Sequence, residues 1–196
     1  MRAMDGIEPA DGVADALREA LRENERLTDR SLAAEQQVGD LATLYAAVNS
    51  LHGATDPHAV VATVCEIVAN LVGSEEMALF ESDARNEHIK LVATCGVAGS
   101  RFDSLEVGTG VIGAVAETGR PFVRQEGGTG DPGSDASITA CLPLRIGTSV
   151  AGVLAIFRLL PHKGTLEKGD RDLFQVLSAH VAPALLFARV YNGGHW

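Results

Sequence analysis

The chain has 196 residues, 46% of them hydrophobic and 21% charged, with a formal net charge of −10. That length holds one domain of ordinary size plus an extension. The acid excess argues against nucleic acid as a partner, because phosphate contacts need clustered Lys and Arg. Membrane insertion is not expected either, since no apolar run approaches the roughly 20 residues that span a bilayer. Arg2, Asp5, Glu8 and Asp11 at the start are unlike a signal peptide. Three cysteines without a framework spacing point to a reducing compartment, hence to a cytoplasmic protein.

Residues 1–12, with Gly6, Pro9 and Gly12, read as a disordered lead. Residues 13–40 read as a coiled-coil helix. Leu17, Ala20, Asn24, Leu27, Ser31, Ala34, Val38, Leu41, Tyr45 and Val48 recur at alternating steps of three and four, the signature of a heptad seam. With Leu17 at an a position, Asn24 also falls at a. A buried Asn there favours two parallel strands in register, because each amide meets its twin. Leu17, Asn24, Leu27, Val38, Leu41, Tyr45 and Val48 are therefore the expected dimer seam. Charged residues coat the outer face, with Glu19–Arg22 and Arg26–Asp29 as expected pairs. A single solvated helix, or pairing with a different protein, are the other readings of the same pattern.

Residues 41–192 read as the folded domain, and 193–196 as a tail. Asp56-Pro57 predicts a helix start with the apolar face Val60, Val64, Ile67, Val68 and Leu71, ended by Gly73. Strands are expected over Met77–Ser82 and Ile89–Cys95. Alternation in the second puts Ile89, Leu91, Ala93 and Cys95 on one face. Gly108-Thr109-Gly110-Val111-Ile112-Gly113 then opens a short helix that Gly119 and Pro121 close. These residues also fit the dinucleotide fingerprint Gly-x-Gly-x-x-Gly, but that motif needs a long helix in a parallel sheet. Room for only about two turns remains here. A strand follows at Pro121–Arg124, then a loop over 126–135 too rich in glycine to hold a helix. Two more strands are expected, Ser137–Arg145 and Val150–Leu159, then a last helix from about Leu166 to Asn192 that Pro183 should kink. Its expected packing face includes Leu173, Leu177, His180, Val181 and Leu185.

The glycine turn with its short helix, the strand pair carrying Pro143-Leu144 and Gly152-Val153-Leu154, and the flanking helices resemble a GAF domain from about Leu41 to Tyr191. The resemblance implies an α+β sandwich: a six-stranded antiparallel sheet with helices on both faces, here preceded by a long N-terminal helix. It also implies a ligand pocket under the glycine turn. Phe102, Val111, Thr118, Phe122, Asp131 and Thr139 are the expected pocket or lid residues. Many members carry a lid helix where this chain has its glycine-rich loop. In dimeric relatives the last helix packs beside Leu41–Leu51 around a two-fold axis.

Candidate chemistry is sparse. Cys65 and Cys95 sit among apolar neighbours and read, with Cys141, as buried small hydrophobes. Free methionine-R-sulfoxide reductases belong to the GAF family and carry reactive cysteines in and beside the glycine turn, which here has none. The family's bilin-attachment and cyclic-nucleotide phosphodiesterase patterns are absent too. The six histidines have no zinc spacing, and His180 reads as a core or interface residue. No catalytic residue, metal or cofactor is expected. Two main functional readings follow, with a free methionine-R-sulfoxide reductase as a third behind them. One is a non-enzymatic sensor or regulatory module that dimerises and signals in trans when a small molecule binds. The other is a ligand-free dimeric adaptor that docks a larger assembly through its coiled coil. In either case a protein partner in trans is expected, since no effector domain follows the last helix.

Overall fold

The computed structural model describes residues 9–192, apart from 84, 86, 103 and 104. By its internal contacts the chain divides between Thr43 and Leu44. The described residues of the first unit are helical: α1 runs Pro9–Gly53 and so continues into the start of the next unit. The helix begins ahead of Val13, so residues 9–12 are not a disordered lead. A glycine inside a helix costs only about 1 kcal/mol, and Gly12 does not stop it. Residues 1–8 and 193–196, read as lead and tail, lie outside the described residues. On α1 the seam residues Leu17, Leu27, Val38, Leu41 and Tyr45 are each more than half exposed in the single chain. Asn24 is exposed as well, and Val48 is partly buried. The outer-face pairs differ from those expected: Arg18 pairs with Asp15, and Arg26 with Glu23 at 3.7 Å.

The second unit is built on a six-stranded sheet. Its strands are β1 Met77–Ser82, β2 His88–Cys95, β3 Leu105–Glu106, β4 Phe122–Val123, β5 Ala140–Ile146 and β6 Ser149–Ile156. Their order is β3-β2-β1-β6-β5-β4, with every neighbouring pair antiparallel. The central strands are covered on both sides. Met77–Phe80 is buried throughout, and so reads as an unbroken apolar run rather than an alternating one.

One face carries α2 (Pro57–Ile67) and α4 (Lys168–Tyr191), together with Ala47 and Leu51 from the end of α1. The Asp56 carboxylate accepts the Ala59 N–H at 3.0 Å and starts α2, as its sequence predicts. The helix ends in a wider π-type turn, Val68–Val72, before Gly73. At the start of α4, buried Asp170 accepts the Glu167 N–H and takes an ion pair from Lys163 at 3.1 Å. Pro183 lies inside α4 without ending it. Contrary to the sequence reading, α4 is long and apolar enough by length and composition to cross a membrane. Its apolar face, including Leu173, Phe174, Leu177, Val181 and Leu185, is instead buried in the core against the sheet. Arg189 near its end pairs with Glu81 of β1. The opposite face of the sheet carries α3, Gly110–Thr118.

A bulge in β2 changes which residues face which helix. Leu79 pairs with Ala93 but Phe80 with Leu91, leaving Val92 as an extra residue. Leu91 therefore packs on the α3 side, whereas Val92, Ala93 and Cys95 pack with the α2–α4 core. The expected single face Ile89–Leu91–Ala93–Cys95 is split, because one added residue reverses the alternation beyond it.

Candidate functional site

The glycine turn and α3 form the site to which the sequence points. The Gly108 N–H donates to the Gly113 carbonyl at 2.9 Å, folding the turn back on the helix. At Gly113 a Cβ would stand 2.3 Å from the Glu106 carbonyl oxygen, so only glycine lets the helix lie this close to β3. Gly119 closes the helix in a left-handed conformation, φ 63°. The turn thus serves close packing and helix termination.

The N-terminus of α3 would attract an anion, through its unpaired N–H groups and the positive end of its dipole. The chain supplies that anion itself. Asp135, from the glycine-rich loop, places Oδ2 3.1 Å from the Val111 nitrogen and accepts its N–H. A turn of 3₁₀ helix, Asp135–Ser137, fixes the carboxylate there, and Arg124 donates to the Asp135 carbonyl at 3.2 Å. No longer lid helix forms over residues 126–135, in agreement with the sequence. Removing the carboxylate by Asp135→Ala is expected to lower stability by about 1 kcal/mol, the scale of a lost helix cap. That corresponds to a fall in melting temperature of about 2–4 °C in a differential scanning experiment.

Beneath α3 the described residues pack into an aromatic and aliphatic cluster. Phe102 is 3% exposed. It stacks on Phe157 with ring centroids 5.8 Å apart and meets Phe80 edge-on at 5.5 Å. Ile112, Val115, Ile138 and Val153 complete this cluster. Phe102 therefore belongs to the buried aromatic cluster on this face of the sheet.

The other expected pocket residues separate. Val111, Thr118 and Phe122 line one surface groove of about 410 Å³ beside α3, along with Arg120 and Asp135. Within it the Thr118 hydroxyl donates to the Ala114 carbonyl at 2.7 Å. The Arg124 guanidinium lies 5.5 Å from the centre of the Phe122 ring. Thr139 is fully buried, and its hydroxyl accepts the Gly128 N–H at 2.8 Å, which pins the loop from inside. Asp131 is exposed on the loop and does not line the groove. Asp135 is the participant that sequence reasoning missed. Its contact with Val111 spans 24 positions, and no local pattern marks it.

The cysteines also differ from expectation. Cys65 of α2 and Cys95 of β2 form a disulfide, with Cα atoms 6.5 Å apart. The bulge at Val92 is what turns Cys95 toward α2. The reading of these two as free buried hydrophobes is thus overturned, and with it the argument for a reducing compartment. Cys141 is free and fully buried. Burial, and then the Asp135 charge, push its thiol well above the ordinary range, so it is a poor nucleophile. No group of three metal-ligating side chains occurs among the described residues. His180 is paired: its Nδ1 lies 3.1 Å from Nε2 of His52, a contact 128 positions apart in sequence.

A profile of the GAF domain matches residues 56–186, and the chain belongs to the GAF domain family. No curated protein matches the sequence. Among solved structures it is similar to the GAF domain from an Acinetobacter phosphoenolpyruvate-protein phosphotransferase, at 19% identity and a TM-score of 0.62, over 79% of this chain and 97% of that one. The corresponding GAF domain from Coxiella burnetii gives 18% identity and a TM-score of 0.62, over 79% and 96%. The free methionine-R-sulfoxide reductase from Neisseria meningitidis, solved with its substrate, gives 16% identity and a TM-score of 0.55, over 76% and 89%. At these identities the likeness establishes the fold alone.

Proposed function

We propose that this GAF protein is a non-enzymatic regulatory module that dimerises along α1 and acts on a partner protein in trans. The observation that carries the proposal is the apolar seam from Leu17 to Tyr45, exposed in the single chain. A lone helix of such polarity is marginal in water, whereas a second copy would bury the seam. Between the two modes of action, the interior filled by Phe80, Phe102 and Phe157 favours ligand-independent docking over capture of a small molecule beneath α3. Asp135 on the helix N-terminus adds support, because an anionic ligand would first have to displace it.

The reductase reading is disfavoured. Such chemistry needs an accessible thiolate, and the one free thiol, Cys141, is buried.

Parallel pairing in register brings the two copies of residue 24 together. The variant Asn24→Cys is accordingly expected to form a covalent dimer on mild oxidation, visible on a non-reducing gel, while the native bridge and buried Cys141 stay out of the reaction. A variant that remains at the mass of one chain would refute the parallel seam.

A further inference from the structure

We propose that a second site, on the face of the sheet opposite α3, binds an amphipathic carboxylate: one acid group on an extended apolar body. A groove of about 720 Å³ lies between α4 and the β4–β5 edge of the sheet. It exists because β4 pairs only with Ala140 and Cys141, so β5 from Leu142 onward has no neighbour on that side. Pro143, which has no N–H to donate, stands at this unpaired edge. Small residues on the walls, among them Gly119, Gly147, Ser178 and Ala179, leave the space open. The volume is in the range of sites that take drug-sized ligands, about 300–1,000 Å³.

The lining defines the ligand. Val123, Leu142, Phe174 and Pro183 supply an apolar bed, while Arg145 and Arg171 stand at the groove as its charged groups. Neither guanidinium has a carboxylate partner among the described residues, whereas Arg158, Arg189 and Arg18 each pair with one. Arg145 donates to the carbonyls of Gly119, at 2.6 Å, and Thr148, which leaves its charge uncompensated. Arg171 is exposed, and its planar fork is free for a bidentate acid. Two uncompensated cations beside an apolar groove, in a chain of net charge −10, select an anion with a greasy body. A ligand seated there would lie against α4, whose last turns expose Leu186, Phe187, Val190 and Tyr191.

Decanoate is the probe, with decanol as its uncharged counterpart, each titrated calorimetrically into the full chain below its micelle-forming concentration. Decanoate is expected to bind once per chain and more tightly than decanol. Arg171→Gln should weaken decanoate by about tenfold or more, the scale of a lost charged hydrogen bond. Ala179→Trp, which fills the groove from an exposed helix position, should abolish binding while circular dichroism stays that of the parent. Absence of decanoate binding, equal affinity for acid and alcohol, or an Arg171→Gln variant that binds unchanged would each overturn the proposal.

Discussion

Replacing Phe102 by alanine is expected to cost about 3–5 kcal/mol of folding stability, which lowers the melting temperature by roughly 6–20 °C. The effect is large because the ring is a core element with aromatic partners on two sides, Phe80 and Phe157. Deleting it removes the transfer energy of a buried aromatic and leaves a cavity that the sheet and α3 cannot close. Phe102→Leu, which keeps much of the volume, should cost far less. Were Phe102 instead the wall of an open ligand pocket, truncation would change ligand response and leave the apparent stability of the free protein nearly untouched. Denaturant unfolding of the two variants decides between these outcomes.

Loss of the Cys65–Cys95 bridge is the second large effect. The bridged residues are 30 positions apart. Closing a loop of that length stabilises the folded chain by about 3–4 kcal/mol in the chain-entropy account. The double variant Cys65→Ser, Cys95→Ser, or the parent in reductant, should therefore unfold at distinctly lower denaturant concentration. A thiol count in denaturant without reductant should give one, from Cys141, rising to three with it. Three thiols without reductant, together with midpoints that reductant does not move, would show that the bridge is not formed.

Much of the fold was legible in the sequence. The start of α2 at Asp56-Pro57, the close of α3 at Gly119, and the first and last strands of the central pair all rest on local chemistry: a cap, a glycine that accepts a left-handed turn, an apolar run. Such signals act over a few residues and survive without knowledge of the rest of the chain. What failed was long-range. Val92 carries no mark of being the extra residue in β2, yet it decides that Cys95 faces α2. The Asp135–Val111 contact and the His52–His180 pair join elements far apart in sequence. The packing of Phe102 was hidden for a related reason. The same apolar residue types line a cavity or pack into a core, and only the contact with Phe157 shows that this ring does the latter.

The paired state of the whole molecule is tested most directly by its mass in solution, measured by light scattering or sedimentation on the intact chain at micromolar concentration. Two copies zipped along α1 predict twice the 20.5 kDa of one chain, falling to a single chain when Leu17, Leu27 and Val38 are all changed to Gln. A parent protein that weighs 20.5 kDa at every concentration would contradict the dimer, and with it the regulatory role drawn from the exposed seam.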